Sequence, residues 1–288
     1  MKVAFLGLGV MGAPMAGHLA NKGYDVSVYN RTAAKAREWA GKYTGSVAAT
    51  PVEAVEGAAL AFMCLGDDPD VEAVANEAIP ALADGAVLVD HTTASPALAR
   101  LLSETSASAG KSFVDAPVSG GQAGAENGRL SVMCGGDAAA VEKARPAMES
   151  YAARIIHVGP SGHGQLCKAV NQICIAGLLQ GLAEGVHFAA HAGLDIEKVL
   201  EAISGGAAQS WQMENRARTM AADEFDFGFA VDWMRKDLRI ALAEARENRA
   251  RLPVTALVDQ FYGDVQAIGG GRWDTSSLIR RLTVTDAD

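Results

Sequence analysis

The 288-residue sequence predicts an α/β protein: a doubly wound parallel sheet in the first half, then a second half that is helical throughout. Three observations predict this. Short apolar runs alternate with helical stretches as far as residue 158, the pattern of βαβ units with right-handed crossovers. A cluster of chain breakers follows, Gly159-Pro160-Ser161-Gly162-His163-Gly164, and beyond it strand signals vanish. The opening strand runs straight into Gly7-x-Gly9-x-x-Gly12, with a helical stretch behind it.

In chain order, residues 3–6 read as the first buried strand and 13–22 as the helix after the glycines, ended by Gly23. Residues 25–29 form the second strand and 33–40 the second helix. Thr50-Pro51-Val52-Glu53 is a helix start, with an N-cap, a proline at the first helical position and a glutamate completing a capping box. Residues 60–65 and 86–90 are apolar runs of the buried parallel type, and further strands are expected at 112–114, 130–134 and 154–158. A long helix, apolar around most of its circumference, spans 165–192. Helices at 195–203, 231–248, 253–268 and 276–282 follow, then a frayed polar tail from Thr283. The boundaries are therefore 1–161 for a Rossmann-type NAD(P)-binding domain and 162–288 for the helical one, which would carry substrate and subunit contacts.

Composition narrows the function. With 49% hydrophobic residues and a net charge of −9, the chain reads as soluble and globular, and poorly suited to nucleic acid, whose phosphates want a basic face. No uninterrupted apolar stretch of membrane-spanning length and no targeting segment is read, so a cytoplasmic protein is expected. Cys64, Cys134, Cys167 and Cys174 lack disulfide or metal spacing and read as buried reduced thiols. His187 and His191 stand at i, i+4, but nothing completes a metal site, and none is expected.

Each glycine of the opening motif has a physical task. Gly7 makes the turn out of the strand, Gly9 admits a pyrophosphate to the backbone, and Gly12 lets helix and strand pack closely. The phosphates would lie over Leu8, Gly9, Val10 and Met11, on the helix N-terminus. At the end of the second strand, Asn30-Arg31-Thr32 carries no carboxylate to repel a 2′-phosphate, and Arg31 with Thr32 can bond one. NADP is the expected nucleotide, with NAD also usable. Directly beyond the fifth strand signal lies Ser119-Gly120-Gly121, either a carboxylate-holding nest or a plain turn. Lys168 falls one turn into the long apolar helix, with Asn171 and Gln172 at i+3 and i+4. A partly desolvated lysine there, its pKa lowered, suits proton transfer near neutral pH. Lys236-Asp237 alone reads as an ordinary solvated helical face.

Phe5-Leu6-Gly7-Leu8-Gly9-Val10-Met11-Gly12-Ala13-Pro14-Met15-Ala16, Asp115-Ala116-Pro117-Val118-Ser119-Gly120-Gly121, Gly162-x-Gly164-x-x-x-Lys168-x-x-Asn171 and Lys236-Asp237-Leu238 together resemble the β-hydroxyacid dehydrogenases, in order and spacing, over nearly the whole chain. The resemblance implies hydride transfer between a nicotinamide and a small carboxylate-bearing hydroxyacid or semialdehyde, as in 3-hydroxyisobutyrate dehydrogenase or tartronate semialdehyde (2-hydroxy-3-oxopropionate) reductase. It implies Lys168 as the catalytic lysine, and Ser119, Gly120 and Gly121 on the substrate carboxylate, with Asn171 and Gln172 nearby. Thr93 would lie by the nicotinamide and Lys236 over the cofactor. Two departures stand out. Leu65-Gly66 replaces the family's usual Leu-Pro, altering a cofactor-lining turn. Lys-x-x-Asn-Gln is closer to tartronate semialdehyde reductases than the Lys-x-x-Asn-Asn of typical 3-hydroxyisobutyrate dehydrogenases. A 6-phosphogluconate dehydrogenase would be longer, an imine reductase would lack the lysine, and a non-catalytic scaffold would have lost the lysine or gained basic extensions. The apolar long helix predicts a homodimer or homotetramer.

Overall fold

The computed structural model describes residues 1–283, so most of the expected tail lies outside the described residues. The chain divides into two compact units between Lys168 and Ala169, inside the long helix and seven residues beyond the expected 161/162 boundary. The first unit holds strands β1 (Lys2–Leu6), β2 (Asp25–Tyr29), β3 (Ser46–Val47), β4 (Leu60–Met63), β5 (Val87–Asp90), β6 (Ser112–Asp115), β7 (Val118–Ser119), β8 (Leu130–Gly136) and β9 (Ala152–Gly159). Among them run α1 (Gly12–Asn21), α2 (Ala33–Ala40), α3 (Pro51–Val55), α4 (Asp68–Ala81), α5 (Pro96–Ser108), α6 (Gly121–Glu126) and α7 (Ala138–Met148). Helix α8 (His163–His191) starts in this unit and continues into the second, which also holds α9 (Ile196–Ile203), α10 (Trp211–Ala221), α11 (Val231–Asn248), α12 (Pro253–Ala267) and α13 (Leu278–Thr283).

The sheet order is β3-β2-β1-β4-β5-β6-β8-β7, with β9 on β8. Strands β3 through β6 are parallel, and the order reverses between β1 and β4, the crevice where doubly wound sheets take nucleotides. The all-parallel expectation fails at β8, which runs antiparallel to β6 and β7. After β6 the chain turns at Ala116-Pro117 into β7 and returns through the six-residue α6, with no full crossover helix to restore the parallel direction.

Alternation along the strands sorts side chains onto two faces. Val3, Phe5, Val26, Val28, Leu60 and Phe62 pack with Met15 and Leu19 of α1, Trp39 of α2 and Val141 of α7. Ala4, Leu6, Ala61, Met63 and Leu88 pack on the other face with Val55 of α3, Val71 and Ile79 of α4, and Leu98 and Leu102 of α5. The capping box differs in detail: Thr50 Oγ1 accepts from Glu53 N, while Glu53 reaches Ala49 N in place of the cap's own amide.

In the second unit α8 contributes one buried apolar stripe, Ala176, Leu179, Ala183 and Val186, to a core shared with Met213, Met234, Leu238, Val258 and Tyr262. Val170, Leu178 and Phe188 of the same helix are exposed in the chain. By length and composition α8 could also cross a membrane, which corrects the expectation that no such stretch exists. It carries buried Gln172 and Gln180, whose amide nitrogens donate to the carboxylates of Asp237 and Glu184. None of the four cysteines forms a disulfide, but only Cys134 is buried: Cys64 and Cys167 are half-buried and Cys174 is exposed, against the expectation of buried thiols. Helix α10 had no counterpart in the sequence reading. The last helix is split into a 3₁₀ turn, Thr275–Ser277, and α13, which takes in Thr283.

Candidate active site

The turn after β1 is built by its neighbours. Gly7 has φ +101°, and a Cβ there would stand 2.3 Å from Cys64 O at the end of β4. Gly7 N–H donates to Tyr29 O at 2.8 Å, tying the turn to β2. A Cβ on Gly12 would lie 2.0 Å from Gly7 O, so only glycine lets α1 start this close to the strand. At Gly9 a Cβ would meet nothing within 4 Å. The first turn of α1 carries no acidic residue, and Met11 at its N-cap makes no side-chain cap bond. Open space before an uncapped helix N-terminus fits the diphosphate of a dinucleotide. Leu8 is buried and Val10 exposed, and Leu8 N–H donates to Asn30 Oδ1 at 2.9 Å. Asn30 Nδ2 donates to Thr32 O at 3.0 Å, so this side chain braces two turns. Arg31 is exposed and Thr32 is the extended N-cap of α2.

The ends of β4 and β5 are locked together. Leu65 N–H donates to Thr92 Oγ1 at 2.8 Å, and Thr92 N–H to Asp90 Oδ1 at 3.0 Å. Beside them His91 is wholly buried, its Nδ1 2.7 Å from Ala116 O and its Nε2 2.9 Å from Tyr151 Oη. A carbonyl only accepts, so Nδ1 carries the proton and Nε2 accepts from the tyrosine hydroxyl. Burial pushes the histidine's pKa down to about 4 and the Tyr151 phenol up, so both stay neutral. Thr93, partly buried, follows directly in this fixed loop.

Asp115, the last residue of β6, seats the start of α8. Its Oδ1 accepts from Gly162 N at 2.8 Å and its Oδ2 from Gln165 N at 2.9 Å. A Cβ at Gly135 or Gly164 would stand 2.6 or 2.8 Å from that carboxylate, so both glycines make room for it. Desolvation raises the Asp115 pKa while four backbone amides, led by Gly162, pull it back. Gln165 completes the clasp: Nε2 donates to Thr92 O at 2.7 Å and Oε1 accepts from Ala94 N at 3.1 Å. One turn on, the buried Lys168 Nζ donates to Val118 O at 2.9 Å. Ser119 is next in the chain, followed by Gly120 at φ +130° and Gly121 at φ +61°, values that favour glycine. The sheet unit thus brings the predicted lysine to the predicted Ser-Gly-Gly turn.

The helical unit holds Asn171, Gln172 and Lys236. Asn171 Nδ2 donates to Gln172 Oε1 at 2.8 Å, and Gln172 Nε2 donates to Asp237 Oδ2 at 2.6 Å. Asp237 is 3% exposed, and Lys236 Nζ lies 3.2 Å from its other oxygen and 5.8 Å from the Trp233 ring centre. Lys236-Asp237 is therefore a buried pair, which overturns the solvated-face reading. The cause is α11 itself, which turns Met234, Asp237 and Leu238 into the core together. Among the described residues no group of three or more His, Cys, Asp or Glu could hold a metal, and the His187 and His191 rings lie 4.1 Å apart, tilted by 44°. A cavity of about 720 Å³ lined by Val186, His187, Leu194, Met220, Trp273 and Arg280 contains none of the predicted site residues.

Sequence reasoning gave no role to His91, Asp115, Gln165 or Asp237. For Asp115 a signal existed: a carboxylate ending a buried strand, with Gly162-His163-Gly164 later opening a helix.

A glycine-tight dinucleotide turn and a buried lysine beside a Ser-Gly-Gly turn define an NAD(P)-dependent oxidoreductase. Residues 2–159 match the family described as the NAD binding domain of 6-phosphogluconate dehydrogenase. Residues 162–282 match that described as NAD-binding of NADP-dependent 3-hydroxyisobutyrate dehydrogenase. An uncharacterized oxidoreductase of Shewanella frigidimarina is 58% identical over 98% of both chains. The 2-hydroxy-3-oxopropionate reductase of Escherichia coli is 35% identical over 98% of this chain and 97% of that one. The structure of Mycobacterium tuberculosis 3-hydroxyisobutyrate dehydrogenase with L-serine aligns with a TM-score of 0.91, at 30% identity and 98% coverage of each chain. The chain belongs to the β-hydroxyacid dehydrogenase family, and it is an oxidoreductase acting on a CH–OH group.

Proposed function

We propose that the protein interconverts 3-hydroxyisobutyrate, or a closely similar short β-hydroxyacid, with its semialdehyde, using NADP in preference to NAD. The observation that carries this reading is the 2.9 Å bond from Lys168 Nζ to Val118 O, which holds a buried lysine nitrogen beside Ser119, Gly120 and Gly121. The Ser-Gly-Gly backbone anchors the substrate carboxylate. That anchor holds the hydroxyl carbon at a fixed distance from Lys168, a positional contribution to rate. Lys168 Nζ takes the hydroxyl proton during oxidation and gives it to the carbonyl oxygen during reduction. The nicotinamide, when bound, supplies or receives the hydride at the substrate carbon. Asn171, whose amide nitrogen is held by Gln172, is assigned to the substrate and Lys236 to the cofactor on the family resemblance.

A second reading, reduction of tartronate semialdehyde, is favoured by Gln172, which follows Asn171 in place of a second asparagine. The test is a coupled assay of both substrate pairs, each with NADP and NAD. Highest kcat/KM for 3-hydroxyisobutyrate with NADP supports the first reading, and highest kcat/KM for tartronate semialdehyde replaces it with the second. We also place the enzyme in the cytoplasm as a homodimer or homotetramer.

A further inference from the structure

The turn ending β2 carries the asparagine, arginine and threonine from which nucleotide choice was read. The structure removes one of them from the contest. Asn30 is committed at both ends of its amide, to Leu8 N and Thr32 O, so its oxygen already has a backbone donor. Arg31 is 83% exposed, and its Nη1 donates to Asp70 Oδ1 at 2.7 Å. Asp70 comes from the first turn of α4, 39 residues further along the chain. Two other carboxylates of that helix start have structural duties. Asp67 Oδ1 accepts from Asp68 N, and Asp68 Oδ1 accepts from Ser95 N. Asp70 instead faces the arginine.

We infer that Asp70 sets the nucleotide preference: it supplies, from α4, the carboxylate that β2 lacks, and so weighs against a 2′-phosphate. The inference rests on the reading that Arg31 receives that phosphate. An exposed ion pair is weakly held, so a phosphate can draw Arg31 away from Asp70. The carboxylate's charge stays behind, within a few ångströms of the incoming anion, and like charges at that range cost affinity. A ribose 2′-hydroxyl meets no such opposition. Arg31 favours NADP, and Asp70 moderates that preference without reversing it.

Direct titration of the full-length protein with NADPH and with NADH, followed by nucleotide fluorescence, tests this without relying on turnover. Asp70→Asn should tighten NADPH about tenfold and leave NADH no tighter, raising the preference for NADPH by that factor. Arg31→Ala should move the preference the other way, and NADH binding reports in each variant that the fold is intact. If Arg31→Ala weakens NADPH selectively while Asp70→Asn leaves the preference unchanged, Asp70 has no such role and the reading of Arg31 stands. If Arg31→Ala leaves the preference unchanged, the reading of Arg31 fails and the inference fails with it.

Discussion

The Asp115 carboxylate accepts from the backbone N–H groups of Gly162 and Gln165, capping α8 from the end of β6 across 47 and 50 residues of sequence. Ordinary caps lie within a turn of the helix they serve. This one fixes the helix to the sheet, and Lys168 stands on the turn so fixed.

Removing the cap should therefore destabilise and mis-seat at once. Asp115→Ala leaves two buried amides unpaired, at about 1–3 kcal/mol each. The expected result is a loss of roughly 2–5 kcal/mol in chemical denaturation and a lower kcat, with Asp115→Asn intermediate. A variant with wild-type denaturation midpoint would remove Asp115 from the framework.

Lys168→Ala should leave nucleotide binding nearly intact and lower kcat by roughly 10²–10⁴-fold, the usual worth of a positioned acid–base group. Fluorescence titration and steady-state kinetics check the two halves. Weaker nucleotide binding with kcat preserved would move the lysine out of the chemistry.

His91 ties stability to pH. Its folded pKa of about 4 lies below the unfolded value of 6.5, so the unfolded chain takes up a proton first as pH falls. The stabilisation from neutral burial is complete above pH 6.5 and is lost between there and pH 4, by about 3 kcal/mol in all. Asp115, with its pKa raised, acts in the opposite sense, so the comparison must be made against a variant. Urea midpoints from pH 7 to pH 4 should fall less steeply in His91→Gln than in the wild type. Equal slopes would show that His91 does not titrate in this range.

The uncovered face of α8 predicts self-association. Leu178 and Phe188, the latter 70% exposed, stand on a helix whose opposite stripe is in the core. Exposed large apolar side chains on such a face mark an interaction surface. Sedimentation equilibrium at low micromolar concentration should give twice or four times the 29.9 kDa chain mass. Leu178→Glu with Phe188→Glu should shift it toward the single-chain mass, and a wild-type protein already at that mass would rule the assembly out.

What the sequence made legible follows the range of each interaction. The opening glycines and α11, expected at 231–248 and found at Val231–Asn248, rest on local spacing and period. Helix α10 was missed because it buries little besides Met213, Ala217 and Met220, and its best cue is the Ser210 cap on Met213 N. The direction of β8 was misread because an apolar run announces a strand without saying which way it pairs. Asp70 on Arg31, Asp115 on Gly162 and Asp237 on Gln172 are side-chain meetings 39, 47 and 65 residues apart. No periodicity encodes them. The Lys236-Asp237 pair misled for the opposite reason, because adjacent charges look solvated until the helix's buried face is known.

Because Asp115, Thr92 and Val118 all reach forward to residues 162–168, the breaker at 159–164 is a misleading place to cut the chain. A fragment ending at Ser161 would keep the whole sheet yet strand a desolvated carboxylate without the amides of Gly162, Gly164 and Gln165. It should fold poorly, whereas one extended through Lys168 carries its own closing clasp. The last seven residues behave as a latch belonging to the sheet, written in the sequence of the helix.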